Sequence, residues 1–368
     1  MRRTLLGANW AVPGMIAVVA LGLSASRVSA DGPDLKSEFL RLCDDGREDV
    51  LEQAKAIERK GRAFYWDSYA VRGLAVAYDM TGKQEYLDAC KLWSDHMIDL
   101  QNGMVPKGAY YMQYGRKPGE KEGDWYVADC SSIALGVLAT AVRCEDKAEK
   151  ERYLNSVKAF ADLVAENWIR PSGGVTDGYW PKSDKEWWCS TGIYGSLAFC
   201  LYDETGDPRY LKMGLGAIDW LNQQDFLTVA EFFPPREIKP TVMMYCLEAY
   251  SAAWPHLKPD SDLSKAAVAQ VEKTEAWMAE NLCGKAGIPY ISQWGSKFGG
   301  LPFHLYVYAK HLPGNQDAVG LADRELRHIA GVLKESPPSN QRDQLALFAM
   351  VSYAERISPG AIYRTSKK

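Results

Sequence analysis

The sequence predicts an all-α fold, an (α/α)6 toroid, in which six helical hairpins close into a ring. Three observations predict it. Apolar residues recur at helical spacing along almost the whole chain, while the alternation expected of a half-buried strand is nearly absent. A tight joint between helices occurs twice: Tyr78-Asp79-Met80-Thr81-Gly82-Lys83-Gln84-Glu85-Tyr86-Leu87 returns as Tyr202-Asp203-Glu204-Thr205-Gly206-Asp207-Pro208-Arg209-Tyr210-Leu211. Its glycine suits the left-handed end of one helix, and a second helix follows almost at once. The opposite joints are long. Arg170-Pro171-Ser172-Gly173-Gly174-Val175, Cys283-Gly284-Lys285-Ala286-Gly287-Ile288 and the stretch from Leu100 to Pro106 share one character. Short joints at one end and long loops at the other describe a ring with one functional face, for which an open solenoid is the alternative.

The elements follow in order. Residues 1–30 read as an export signal: Arg2 and Arg3, an apolar run from Ala11 to Leu23, then Val28-Ser29-Ala30 as a small-residue cleavage site. The arginine pair leaves a twin-arginine route open. The apolar run falls short of the ~20 residues of a membrane span, so the mature chain is expected exported, periplasmic or secreted, and free of the membrane. Residues 31–368 form one domain, with no linker or break in composition. Helices are expected to start near Glu48, Phe64, Gln84, Trp125, Ala148, Trp188, Pro208, Thr241, Ser261, Phe303, Asp317 and Arg342.

A formal charge of −4 gives no electrostatic case for nucleic acid. The eight cysteines show no C-x-x-C spacing, and most interrupt apolar runs as small hydrophobes. Bridges are permitted in an oxidising compartment, but the sequence pairs none of them. The five histidines lack paired-ligand spacing, Gly173-Gly174 and Gly299-Gly300 lack a P-loop lysine, and Ser196 lacks the glycines of a nucleophile elbow. No metal and no cofactor are expected.

The chemistry is expected on the long loops. They carry Tyr110, Tyr111, Tyr179, Trp180, Trp187, Trp188, Tyr290, Trp294 and Phe298, rings that either stack on sugars or plug the barrel top. Trp66, Trp125, Tyr179, Trp187 and Trp188 are the candidate sugar-binding aromatics, with Asp124 and His304 as polar candidates beside them. Three carboxylates stand out. Asp67 lies where an apolar helix begins, and Asp124 is placed like a helix N-cap. Asp129 falls one turn inside its helix among Val127, Ala128, Ile133 and Leu135. A carboxyl there needs a partner or a proton, which suits a general acid, although hydrogen bonding to Ser131 or Ser132 would serve structure alone.

At these aspartates the chain resembles a family. Tyr65-Trp66-Asp67-Ser68-Tyr69-Ala70-Val71-Arg72-Gly73-Leu74, followed by Tyr78-Asp79-Met80-Thr81-Gly82, resembles the Trp-Asp segment of unsaturated rhamnogalacturonyl and unsaturated glucuronyl hydrolases. Val127-Ala128-Asp129-Cys130-Ser131-Ser132 and the apolar run after it are similar to their second aspartate segment. The resemblance implies action on the unsaturated uronic acid that polysaccharide lyases leave at a chain end. An aspartate protonates the C4=C5 vinyl ether, water adds at C5, and the opened ring releases the remaining sugar. By position, Asp129 would be the general acid/base and Asp67 its carboxylate partner. Arg72, Arg116 and Arg170 are the candidates for binding the substrate carboxylate. The Arg-Gly-Asn-Gly-Trp segment of the rhamnogalacturonyl type is absent, and Glu186-Trp187-Trp188-Cys189-Ser190 stands in its place. A uronic-acid-containing oligosaccharide is the expected partner. A lyase using His304 or Tyr179, an inverting glycosidase and a non-catalytic glycan-binding protein are the competing functions on the same toroid.

Overall fold

Asp34 starts the helical chain, its carboxylate accepting the Lys36 N–H and the Ser37 hydroxyl, and α1 (Leu35–Gln53) follows. The computed structural model describes residues 34–55, 63–179, 184–225, 235–281 and 316–363. The remaining helices are α2 (Phe64–Thr81), α3 (Gln84–Asn102), α4 (Val127–Ala141), α5 (Lys147–Asn167), α6 (Trp188–Thr205), α7 (Pro208–Asn222), α8 (Pro235–Ala253), α9 (Asp262–Asn281), α10 (Gln316–Glu335) and α11 (Asn340–Ile357). The export signal, the helix expected near Phe303, His304 and the aromatics Trp180, Tyr290, Trp294 and Phe298 lie outside the described residues.

The helices alternate between two layers. In the inner layer α11 packs on α2, α2 on α4, α4 on α6, and α6 on α8. Outside it, α1 packs on α3, α3 on α5, and α7 on α9, while α1 also touches α10 and α11 where the two ends of the chain meet. This is the expected (α/α)6 toroid and not an open solenoid. Among the described residues there is no strand, only the isolated bridges Ile169–Val175 and Thr176–Glu186.

Composition decides the layer. Inner helices such as α4 and α6 are rich in Gly, Ala, Ser and Cys, so backbones approach closely, and they are buried on nearly every side. A Cβ on Gly192 would stand 2.5 Å from the Tyr245 carbonyl oxygen of α8, and one on Gly136 would stand 2.9 Å from the Trp93 ring of α3. The outer helices bury one stripe each, as Tyr86, Cys90, Trp93 and Met97 do on α3. A tyrosine near the start of each of three outer helices donates to an aspartate on the preceding outer helix. The pairs are Tyr86–Asp44 at 2.6 Å, Tyr153–Asp95 at 2.7 Å and Tyr210–Asp162 at 3.2 Å.

The two short joints are built alike. Gly82 and Gly206 both end their helices with φ of 69°, and their N–H groups return to the Tyr78 and Tyr202 carbonyls. Thr81 and Thr205 bond back to the Ala77 and Leu201 carbonyls.

Two helix starts differ from expectation. α1 begins at Leu35 and not near Glu48, because Asp44-Asp45-Gly46 reads as a break. Gly46 is instead a packing glycine, where a Cβ would lie 2.9 Å from the Met350 sulfur. α8 begins at Pro235 and carries Pro240 within it, the residue that suggested a boundary before Thr241. The seven described cysteines are all buried, and none of them forms a disulfide. No described helix is long and apolar enough to cross a membrane.

Candidate active site

The described parts of two long loops, 103–126 and 168–179, meet beside the first turns of α2, α4 and α6: Tyr179 N–H donates to the Trp125 carbonyl at 2.9 Å, Phe64 N–H to the Met112 carbonyl at 3.4 Å and Val175 N–H to the Thr191 hydroxyl at 2.9 Å. Three of the four most exposed large apolar side chains, Val105, Tyr114 and Tyr179, belong to these loops. Among the described residues, this end of the barrel therefore presents exposed apolar surface.

Every residue of α4 is buried except Asp129, which is half-exposed. The helix is fixed on all other sides, so its one acidic side chain is also its one outlet to solvent. The Tyr114 hydroxyl donates to its Oδ2. Gln113, just before Tyr114, holds a left-handed φ of 76°, a costly conformation for a non-glycine residue and one found most often at functional sites. Burial, and then the charge of Asp129, push the Tyr114 phenol far above its ordinary range, so it stays protonated.

A fourth carboxylate, which the sequence does not single out, lies here. Asp177 in Val175-Thr176-Asp177-Gly178-Tyr179 is only 7 % exposed. Its Oδ1 accepts the Ser190 hydroxyl from the first turn of α6, and its carboxylate also accepts the Ala128 N–H from the first turn of α4. The N-cap position of α4 is Tyr126, which makes no side-chain cap, so Asp177 performs that task from a distant loop. The loop is pinned for it. Val175 N–H donates to the Thr191 hydroxyl at 2.9 Å, and Trp187 N–H donates to the Val175 carbonyl at 2.8 Å. Gly178 has φ of 76°, and a Cβ there would lie 2.6 Å from the Trp125 carbonyl. Burial first, and then the Asp129 charge, raise the Asp177 carboxyl to about 7 against the opposing hydrogen bonds. A Gly-x-Thr-Asp-Gly loop looks like ordinary turn sequence, which is why only the fold reveals this residue.

The other sequence candidates take these places. Asp67 is fully buried in the first turn of α2. Asp124 is exposed and is not the N-cap of α4, since that helix starts at Val127; its carboxylate accepts the Tyr126 hydroxyl at 3.3 Å. Trp125 is fully buried, its indole N–H on the Tyr110 carbonyl at 2.8 Å and its ring against Trp168 and Phe160. It takes the plugging role and leaves no face for a sugar. Trp187 is buried with its ring edge on Trp188, whereas Trp66 and Trp188 are half-buried. The indole N–H groups of Trp66 and Trp188 and the Tyr245 hydroxyl are buried without a partner among the described residues.

The three arginines separate. Arg72 is buried and bonds Glu248 across the barrel at 2.5 Å, so it does not face a ligand. Arg170 is exposed. Arg116 is nearly buried, 3.9 Å over the Tyr179 ring, with one guanidinium N–H on the Val105 carbonyl at 3.1 Å and Nε unpartnered. Among the described residues no three His, Cys, Asp or Glu side chains are arranged to hold a metal.

No family model matches the sequence, and no curated protein matches it. Solved structures do. An inactive variant of the glycoside hydrolase family 76 α-1,6-mannanase of Salegentibacter sp. HEL1_6, with two consecutive aspartates replaced and α-1,6-mannotriose bound, is similar with a TM-score of 0.62 at 12 % identity, over 90 % of this chain and 100 % of its own. An unsaturated glucuronyl hydrolase specific for heparin is similar with a TM-score of 0.60 at 11 % identity, over 87 % and 98 %. A polysaccharide lyase follows at 0.55 and 14 %, over 87 % and 97 %. The shared feature is the toroid, which in these three structures belongs to two glycoside hydrolases and a lyase.

Proposed function

We propose that this chain is a glycoside hydrolase acting on unsaturated uronyl oligosaccharides, with Asp129 as the general acid/base. The observation that carries the reading is the isolation of Asp129: it is the single opening of an otherwise buried helix, beneath two aromatic loops. In the proposed reaction Asp129 gives its proton to C4 of the C4=C5 bond. Water then bonds to C5 and returns a proton to Asp129. The hemiketal so formed opens, and the sugar at C1 leaves.

Several features support this assignment. The unpartnered N–H groups of Trp66 and Trp188 are donors awaiting acceptors, and sugar hydroxyls supply them. Arg116, ordered by Tyr179 and Val105, is the candidate for the uronate carboxylate once Arg72 is engaged by Glu248. The mannanase is inactive with two consecutive aspartates replaced, whereas the one consecutive pair in this chain, Asp44-Asp45, is on outer helix α1, bonded to Tyr86 and Arg41. That favours the single-aspartate chemistry. Lyase action is the second reading, because Tyr114 touches Asp129 as a lyase's base would touch its neighbour. The raised phenol speaks against it: Tyr114 is a donor at neutral pH, not a base.

The test is the ultraviolet absorbance of the conjugated bond in lyase-generated unsaturated uronyl oligosaccharides. Absorbance falls if the reading holds, and Asp129→Asn slows the fall by about 10²–10⁴-fold with thermal stability nearly unchanged. A rise on saturated uronan moves the chain to the lyases, and full activity in Asp129→Asn removes the mechanism.

A further inference from the structure

We propose that Asp177 is a positioning residue for Asp129, a loop carboxyl that clamps the first turns of α4 and α6 and forms with Asp129 a pair that carries one negative charge and not two. Three geometric facts lead there. Asp177 is buried, it is fixed at both ends by the Ala128 N–H and the Ser190 hydroxyl, and the N–H it caps belongs to the residue directly before Asp129. Moving Asp177 therefore moves Asp129.

The groups facing Asp177 are Asp129, Tyr126 and Cys130 on the α4 side and Ser190 on α6. Tyr126 is pushed up to about 12 by burial and by Asp124, and burial pushes Cys130 well up. Asp129 is thus the neighbour whose charge Asp177 meets near neutrality. Two carboxylates in one poorly hydrated site do not both ionise readily, which agrees with the rise of Asp177 to about 7. In the reaction proposed above, the substrate is itself an anion. Ionisation of Asp177 would set a second negative charge beside it, so binding weakens as pH passes through this range.

The linkage has a definite sign. A carboxyl raised from 3.8 to about 7 on folding is protonated in the folded chain while ionised in the unfolded one. The folded state then binds the extra proton, and stability declines as pH climbs from about 4 to about 7.

Protein labelled at its aspartate carboxyl carbons tests the proton directly, by nuclear magnetic resonance and without substrate. One aspartate titrating near neutrality is expected, and the label excludes Glu325, which burial alone raises to about 8. That signal vanishes in Asp177→Asn. In Ser190→Ala it moves to higher pH, because the lost hydroxyl favoured the charged form; a merely structural clamp would not shift it. If every aspartate titrates in the acid range, or the neutral signal survives Asp177→Asn, the proposal is overturned. Wild-type protein alone answers the first point should Asp177→Asn fail to fold. The kinetic arm rests on the hydrolase reading: KM for the unsaturated oligosaccharide rises on the alkaline side in wild type and stays flat in Asp177→Asn. No turnover in either protein, with the titration as expected, would sink the substrate and leave the clamp.

Discussion

Two groups of ionisable side chains lie against the inner helices, and they are built on opposite plans. Inside the barrel Arg72 of α2 meets Glu248 of α8, two helices separated in the ring by α4 and α6. Tyr69 donates to the same glutamate at 3.3 Å, and the Tyr69 and Tyr363 rings flank the guanidinium. Burial is the largest influence and works against the Arg72 charge, but Glu248 together with Tyr363 and Tyr69 outweighs it and keeps the arginine ionised. At the loop end Asp129 and Asp177 bring like charges together, and one of them answers by keeping its proton. The first cluster joins non-adjacent helices with charges that match. The second concentrates charges that do not match where the barrel opens. Like charges held together where the barrel opens are the mark of a site, whereas a buried pair of opposite charge belongs to the scaffold.

Removing one member of the matched pair is the strongest way to probe that contrast. Glu248→Ala leaves Arg72 charged and fully buried, and unfolding by denaturant is expected to show a loss of about 3–5 kcal/mol. The pair Arg72→Met with Glu248→Leu should recover most of it, because apolar replacement removes both desolvation costs. A loss under ~1 kcal/mol in Glu248→Ala would mean that water reaches the pair, and the interior would not be the dry scaffold described.

Tyr114→Phe probes the other cluster with a smaller effect. It deletes the hydroxyl on Asp129 at the partly exposed rim, and the expected stability loss is about 1 kcal/mol. Its sharper consequence concerns protons. A donor to the carboxylate favours the charged form, so without it Asp129 keeps its proton to higher pH and the alkaline limb of the pH–rate profile moves up. An unchanged profile would detach Tyr114 from the chemistry and leave it as a stacking ring.

The scaffold was far more legible in the sequence than the site. The joint glycines Gly82 and Gly206 carry their signal locally, since a left-handed residue followed by a new apolar stripe has few other meanings. Periodicity likewise finds α3, α5 and α7, where one buried stripe alternates with solvent. It is less informative for α4 and α6, which are buried all round, and it misplaces α1, where Gly46 serves packing and not a turn. Asp129 could be singled out because a carboxylate inside an apolar run conflicts with its surroundings. Asp177 carries no such conflict. Its neighbours in sequence are turn residues, and its burial comes from α4 and α6, far along the chain. Likewise Trp125 and Trp66 look equivalent as aromatics at helix starts, and only packing against Trp168 and Phe160 shows that Trp125 is fully buried.

The smallest effect is expected at Asp124, and it discriminates between two ways of starting α4. As an N-cap, Asp124 would hold an orphan N–H of the helix, and its loss would cost about 1 kcal/mol. The helix starts instead at Val127, and Asp177 supplies the capping carboxylate. Asp124 keeps only the Tyr126 hydroxyl at 3.3 Å on an exposed turn. Its backbone carbonyl, which accepts the Arg116 N–H at 2.8 Å, survives any side-chain change. Asp124→Ala should therefore alter the unfolding free energy by less than about 0.5 kcal/mol and leave the aspartate titration near neutrality in place. A cap-sized loss would return the start of α4 to Asp124, and Asp177 would then have no helix end to hold.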